Sequence, residues 1–172
     1  KPTDSILMSA SKVELDAAGG TYTLTAKATQ SCTASVPSAY SSWLSIVDTK
    51  AVQTNITYSV APNEGFAVRE GKIEVRTDLS SEIVTIYQKG VEPVLVLSKT
   101  SYDLKDAAAE IQVDVTSNVN VTVTMPSVDW ISEIKSKATS TNTYNFAVTE
   151  NQTTETRIAE IVFSNAEMGV KQ

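Results

Sequence analysis

The sequence contains no histidine. That removes the commonest general base near neutral pH, the commonest zinc ligand, and every Ser-His-Asp or Cys-His arrangement. Cysteine is almost as scarce: Cys32 stands alone in 172 residues, which excludes an internal disulfide and any Cys-cluster zinc site. A lone cysteine within a strand pattern reads as a small apolar core residue rather than a reactive thiol. Basic residues number 14 against 20 acidic ones, for a net charge of −6, and no stretch concentrates them. Nucleic acid is thereby excluded as a partner, because phosphate neutralisation needs a basic face. No run of about 18 apolar residues occurs, so no membrane-spanning segment is expected.

Metal and cofactor chemistry find as little support. There is no Asp-x-Asp-x-Asp-Gly loop, and Asp103 and Asp106 are too few to hold calcium. Carboxylates are plentiful but form no readable catalytic pair. Glu70 and Glu74 share a strand face, whereas a glycosidase needs two carboxyl groups about 5 to 10 Å apart across a cleft. Solvated surface charge is the better reading, and neither a cofactor nor a metal is expected.

What is present is a duplication, about 88 residues apart. Trp43-Leu44-Ser45-Ile46 answers to Trp130-Ile131-Ser132-Glu133, and Tyr58-Ser59-Val60-Ala61-Pro62-Asn63 to Phe146-Ala147-Val148-Thr149-Glu150-Asn151. Arg69-Glu70-Gly71-Lys72-Ile73-Glu74-Val75 answers to Arg157-Ile158-Ala159-Glu160-Ile161-Val162-Phe163. Solenoid units repeat every 20 to 50 residues and cannot stand alone. A period of this length is instead the size of a small sandwich with its own core. Two tandem modules follow, 1–90 and 91–172.

Within each module the pattern has period two. Tyr22, Leu24, Ala26 and Ala28 alternate with polar residues; so do Ile111, Val113 and Val115, and again Val119, Val121, Val123 and Met125. Alternation puts one face of a strand in a core and the other in water. Turn signals such as Ala18-Gly19-Gly20, Pro62-Asn63-Glu64-Gly65 and Asp78-Leu79-Ser80-Ser81 recur at short intervals, which favours antiparallel sandwiches of seven or eight strands each. A short junction containing Pro93 predicts limited hinge freedom, a geometry suited to a spacer. The second repeat reaches Met168-Gly169-Val170-Lys171-Gln172 without a match to Ile83-Val84-Thr85-Ile86-Tyr87-Gln88. The expectation is a fragment of a longer protein or a lost tail, with a neighbour's strand as the alternative.

These landmarks resemble the BACON domain, a Bacteroidetes-associated module that is often N-terminal and linked to carbohydrate binding. The resemblance rests on Trp43 followed by an aliphatic residue, the Asn63 turn, Arg69-x-Gly71-x-Ile73, and a final strand ending in Gln88-x-Gly90. The second repeat keeps Trp130, Asn151, Arg157 and Ile161, but carries Ala159 in place of the glycine and lacks the Gln-x-Gly strand. The resemblance implies an all-β protein of two immunoglobulin-like β-sandwiches. It further implies an extracytoplasmic place, at the outer-membrane surface or in the periplasm, in a lipoprotein-anchored protein that carries other domains. Glycans or polysaccharides would be the partners.

Residues that recur between repeats are expected to build the core: Trp43 and Trp130, Tyr58 and Phe146, Ile73 and Ile161. Aromatics are only 6% of the chain, so a sugar platform would have to use those that do not recur. Tyr40 and Phe66 fit that description, with Asn63, Glu64 and Arg69 as polar contacts. The Asn-x-Thr sequons at Asn55, Asn120 and Asn151 reflect strand and turn composition. The leading expectation is a noncatalytic spacer, followed by carbohydrate binding and by protein contact through a sheet edge; an enzyme has almost no support.

Overall fold

The computed structural model describes residues 4–48, 55–135 and 142–172. The chain divides into two compact units, Lys1–Glu92 and Pro93–Gln172. The first extends to Glu92 because the Val91 N–H donates to the Gly65 carbonyl at 2.9 Å and ties the junction back to its own module.

The first unit contains β1 (Ile6–Met8), β2 (Lys12–Leu15), β3 (Gly20–Ala28), β4 (Thr33–Ser35), β5 (Leu44–Ile46), β6 (Asn55–Val60), β7 (Arg69–Arg76) and β8 (Ser81–Gln88). They form two four-stranded sheets, ordered β1-β3-β6-β5 and β2-β8-β7-β4. All pairs are antiparallel except β2 with β8. The alternation read from the sequence is the alternation of burial. Leu24 and Ala26 of β3, Ile56, Tyr58 and Val60 of β6, Ile73 and Val75 of β7, and Val84 and Ile86 of β8 are buried in one core, with Cys32 and Leu44. Cross-strand pairing places Leu24 opposite Ile56 and Ile73 opposite Val84, so each ladder presents matched apolar faces. Outward on β7, Glu70, Lys72, Glu74 and Arg76 alternate with the core residues, and Glu74 pairs with Arg76 at 2.9 Å.

The second unit contains β9 (Leu95–Leu97), β10 (Ala109–Ser117), β11 (Thr122–Thr124), β12 (Ile131–Ile134), β13 (Thr143–Val148), β14 (Val162–Asn165) and β15 (Val170–Lys171). Its sheets are ordered β12-β13-β10-β9 and β11-β14-β15. Leu95, Val113, Val115, Phe146 and Phe163 form the core. Phe163 stands where the first repeat has Val75, and meets Phe146 and Tyr144 edge-on at centroid distances of 6.3 and 5.3 Å.

The alternating run from Val119 to Met125 yields a strand over Thr122–Thr124 only. Its partner among the described strands, β14, pairs with those three residues. Upstream, the Ser117 hydroxyl donates to the Val94 carbonyl at 2.8 Å and accepts the Val119 N–H at 3.1 Å, which bends the backbone before a longer ladder can form.

Candidate functional site

The residues shared by the two repeats converge on one end of each sandwich. In the first module, Arg69 opens β7 and faces Gln88, which closes β8. The Arg69 guanidinium lies over the Trp43 ring, 4.2 Å from its centroid. Its Nε donates to Gln88 Oε1 at 2.8 Å, and Nη2 donates to the carbonyls of Ala61 and Pro62 at 2.7 and 3.1 Å. Burial holds the Arg69 pKa below its ordinary value. Gln88 is fully buried, and its Nε2 lies 3.0 to 3.3 Å from the carbonyls of Asp16, Ala17 and Ala61. The carboxamide therefore joins the β1–β3 side of the sandwich to β7.

Asn63 completes this clasp. Its N–H donates to the Ala17 carbonyl at 2.8 Å, its Nδ2 to the Ala67 and Lys89 carbonyls at 2.9 and 3.1 Å, and its Oδ1 accepts the Gly65 N–H at 3.2 Å. Glycine is required at two nearby points of close approach. A Cβ on Gly71 would stand 2.7 Å from the Trp43 ring, and one on Gly90 would stand 2.3 Å from the Phe66 backbone. The Arg-x-Gly and Gln-x-Gly patterns thus have steric causes: one seats the indole, the other closes the chain over the Asn63 loop.

The second module repeats part of this. Arg157 lies over Trp130 at 4.6 Å and donates through Nη2 to the Thr149 carbonyl at 2.6 Å. Asn151 donates its N–H to the Asp106 carbonyl at 2.7 Å and its Nδ2 to the Glu155 carbonyl at 2.8 Å. Arg157 Nε is buried without a hydrogen-bond partner among the described residues. In the first module the Gln88 carboxamide answers the same atom.

The candidate ligand-binding residues are distributed as follows. Asn63 and Arg69 meet in the clasp, where the polar atoms that would grip a ligand already hold backbone carbonyls and Gln88. Glu64 is exposed and Phe66 half-buried on the loop that Asn63 organises. Tyr40 ends a short 3-10 turn, Ser38–Tyr40, packs half-buried against the core, and accepts the Trp43 N–H through its carbonyl at 3.1 Å. Trp43 and Trp130 are themselves half-buried at the core margin, under an arginine, whereas Tyr58, Phe146 and Ile73 are fully buried and Ile161 is half-buried. Gln88 carries no weight in the sequence reading beyond its place in the Gln-x-Gly pattern. Its one sequence signal is a polar residue at an inward position of an apolar alternation, with Val84 and Ile86.

Among the described residues, no group of three or more Cys, Asp or Glu side chains is placed to hold a metal ion. No helix among them is long and apolar enough to cross a membrane.

A family model described as "Putative binding domain, N-terminal", the BACON model, matches residues 13–89 and again residues 119–170. The chain belongs to the BACON family. The paired BACON modules are also similar to the titin Z1Z2 domains solved in complex with telethonin. That likeness has 9% identity and a TM-score of 0.53 over 96% of this chain and 91% of that one, and it shows the immunoglobulin-like fold alone. A Bacteroides ovatus GH5 xyloglucanase solved with a XXXG heptasaccharide is 17% identical over 51% of this chain, with a TM-score of 0.45. The match spans 19% of the xyloglucanase. A protein from Bacteroides thetaiotaomicron is 15% identical over 53% of this chain and 94% of its own, with a TM-score of 0.41. No curated protein matches the chain.

Proposed function

We propose that the chain is a noncatalytic, semi-rigid spacer within a larger extracytoplasmic protein, holding other domains of the same polypeptide away from a lipid-anchored end. One observation carries this reading: the side chains common to both BACON modules are engaged inside the scaffold. Arg69 and Asn63 bind backbone carbonyls, as Arg157 and Asn151 do in the second module, and in the first module Gln88 adds its own bonds to Arg69 and to backbone carbonyls. What the duplication preserves is the arginine and asparagine part of a clasp that Gln88 completes in the first module. The outward face of β7 carries solvated charge, with Glu74 and Arg76 paired and Lys72 4.0 Å from Glu70. Such a face favours solubility more than recognition.

Carbohydrate binding is the second reading, favoured by the family's description as a binding domain. Tyr40, Glu64 and Phe66 are its candidates, since none has an aromatic or acidic counterpart serving the scaffold in both modules. Affinity electrophoresis against plant polysaccharides and mucin glycans separates the two. A spacer migrates unretarded through all of them, while a glycan module is retarded and loses retardation in Tyr40→Ala and Phe66→Ala. Retardation abolished by those substitutions refutes the spacer as the primary role. Small-angle scattering supplies the second arm: an extended particle is expected, and a broadly flexible pair contradicts a semi-rigid spacer.

A further inference from the structure

The chain enters the first module through β1 and β2 and leaves it from β8. β2 and β8 lie side by side and run parallel, from Lys12↔Thr85 to Leu15↔Gln88. The outer bonds of this ladder run from the Thr85 N–H to the Ser11 carbonyl at 3.0 Å and from the Lys89 N–H to the Leu15 carbonyl at 2.9 Å. In a parallel pair the entry of one strand and the exit of the other stand at opposite ends of the ladder. Tension along the polypeptide therefore slides the two strands past each other and loads every rung at once. An antiparallel pair in this place would be peeled open one rung at a time.

Water, which competes for a strained hydrogen bond, is held off this ladder on both faces. Inward, Val84, Ile86 and Gln88 are each 0% exposed. Outward, the Lys12 ammonium reaches from β2 to the Tyr87 ring of β8, 5.1 Å from its centroid. Further bonds gather where β8 leaves. Gln88 Nε2 lies 3.3 and 3.0 Å from the Asp16 and Ala17 carbonyls, so a side chain carries the ladder past Leu15. Asn63 Nδ2 donates to the Lys89 carbonyl at 3.1 Å, and the Val91 N–H donates to the Gly65 carbonyl at 2.9 Å. β1, which the force meets first, pairs among the described strands with β3, from Ile6↔Ala28 to Met8↔Ala26. Its release leaves the β2–β8 ladder in place.

We propose that the first module is a tension-bearing element, with the parallel β2–β8 ladder as its shear clamp and Gln88 as the brace at the end where β8 is drawn out. A buried carboxamide in an apolar row then has a mechanical task beyond equilibrium stability: the strands slide only when its bonds to Asp16 and Ala17 break together with the backbone rungs. A spacer in a tethered protein is drawn between its anchor and whatever its outer domains hold, and a clamp of this kind keeps it from lengthening. To that extent the role rests on the spacer reading.

Single-molecule force spectroscopy on the full chain tests the clamp, in a Cys32→Ala background with one handle on the amino terminus. A second handle at Glu92→Cys draws β8 from its exit and shears the ladder. Placed instead at Leu79→Cys, in the exposed turn before β8, it pulls from the entry end and peels the ladder. The rupture force is expected to be higher through residue 92 than through residue 79 at the same loading rate. Gln88→Leu is expected to speed rupture through residue 92 at fixed force by about tenfold or more, and to leave rupture through residue 79, where peeling starts at Thr85, within about twofold. Equal forces in the two directions overturn the clamp. So does a Gln88→Leu change that weakens both alike, which is what a merely structural role gives. If Gln88→Leu does not fold, the contrast of directions in the parent decides. Either failure leaves an extended particle by scattering intact, so loss of the clamp and loss of the spacer are told apart.

Discussion

Replacing Gln88 by leucine removes the one side chain that joins three backbone carbonyls to Arg69 while keeping nearly the same volume. The loss is unevenly distributed. The Ala61 carbonyl keeps Arg69 Nη2, Ala17 keeps the Asn63 N–H, and Asp16 keeps the Gly19 N–H, so no carbonyl is orphaned. Arg69 Nε has no such substitute. A hydrogen bond to a charged group contributes about 1.5–3 kcal/mol, and the neutral amide bonds about 0.5–1.5 kcal/mol each. Leucine burial returns about 1 kcal/mol or more. A net destabilisation of roughly 2–3 kcal/mol is expected, a large share of a small module's roughly 5 kcal/mol. Urea denaturation in a Trp130→Phe background, followed by Trp43 fluorescence, isolates the first module. A double-mutant cycle with Arg69→Leu should return a coupling of about 1.5–3 kcal/mol. A Gln88→Leu effect within about 0.5 kcal/mol of the parent, or a coupling near zero, would refute the clasp as a source of stability.

Gly71→Ala places a Cβ 2.7 Å from the Trp43 ring. It should cost about 1–3 kcal/mol and shift Trp43 emission as the indole leaves Arg69; an unchanged spectrum with unchanged stability contradicts the packing argument. Tyr58 is buried against Tyr22, and burial, aided by Tyr22, pushes its phenol up to about 12 from 10.0. The folded state favours the neutral phenol, so its stabilisation is complete below pH 10 and is lost as pH rises toward 12. Alkaline titration of stability should therefore fall less steeply over that window in Tyr58→Phe. Asp4 accepts hydrogen bonds from Thr77 and Thr29, which hold its carboxyl below the usual value. Its contribution is present above the ordinary value of 3.8 and fades as pH falls below it; Asp4→Asn should flatten the acid limb. Cys32, 3% exposed, should react with a thiol reagent only as fast as the first module opens, and rapid native labelling would exclude its core placement.

Much of the scaffold was legible because β-strand burial is written locally. Leu24, Ala26, Ile56, Tyr58, Ile73 and Val75 alternate with polar residues, and any pleated backbone sends them to one side. The run from Val119 to Met125 reads identically yet pairs over three residues, because strand length depends on a partner remote in sequence. Asn63 and Arg69 look in sequence like ligand contacts. They are engaged with carbonyls of Ala17, Ala61, Ala67 and Lys89, positions that no local pattern links to them.

The sequence by itself determined the duplication, the all-β class and the apolar faces, since these depend on period and composition. It also ruled out histidine chemistry and a disulfide within this chain, having no histidine and a single cysteine. Only tertiary structure decided that Trp43 sits beneath Arg69, that Gly71 makes room for it, and that a buried Gln88 answers Arg69 Nε while Arg157 Nε has no partner among the described residues. The reason is physical: a buried donor constrains the fold through whichever acceptor the folded chain brings to it, and that acceptor lies on another strand.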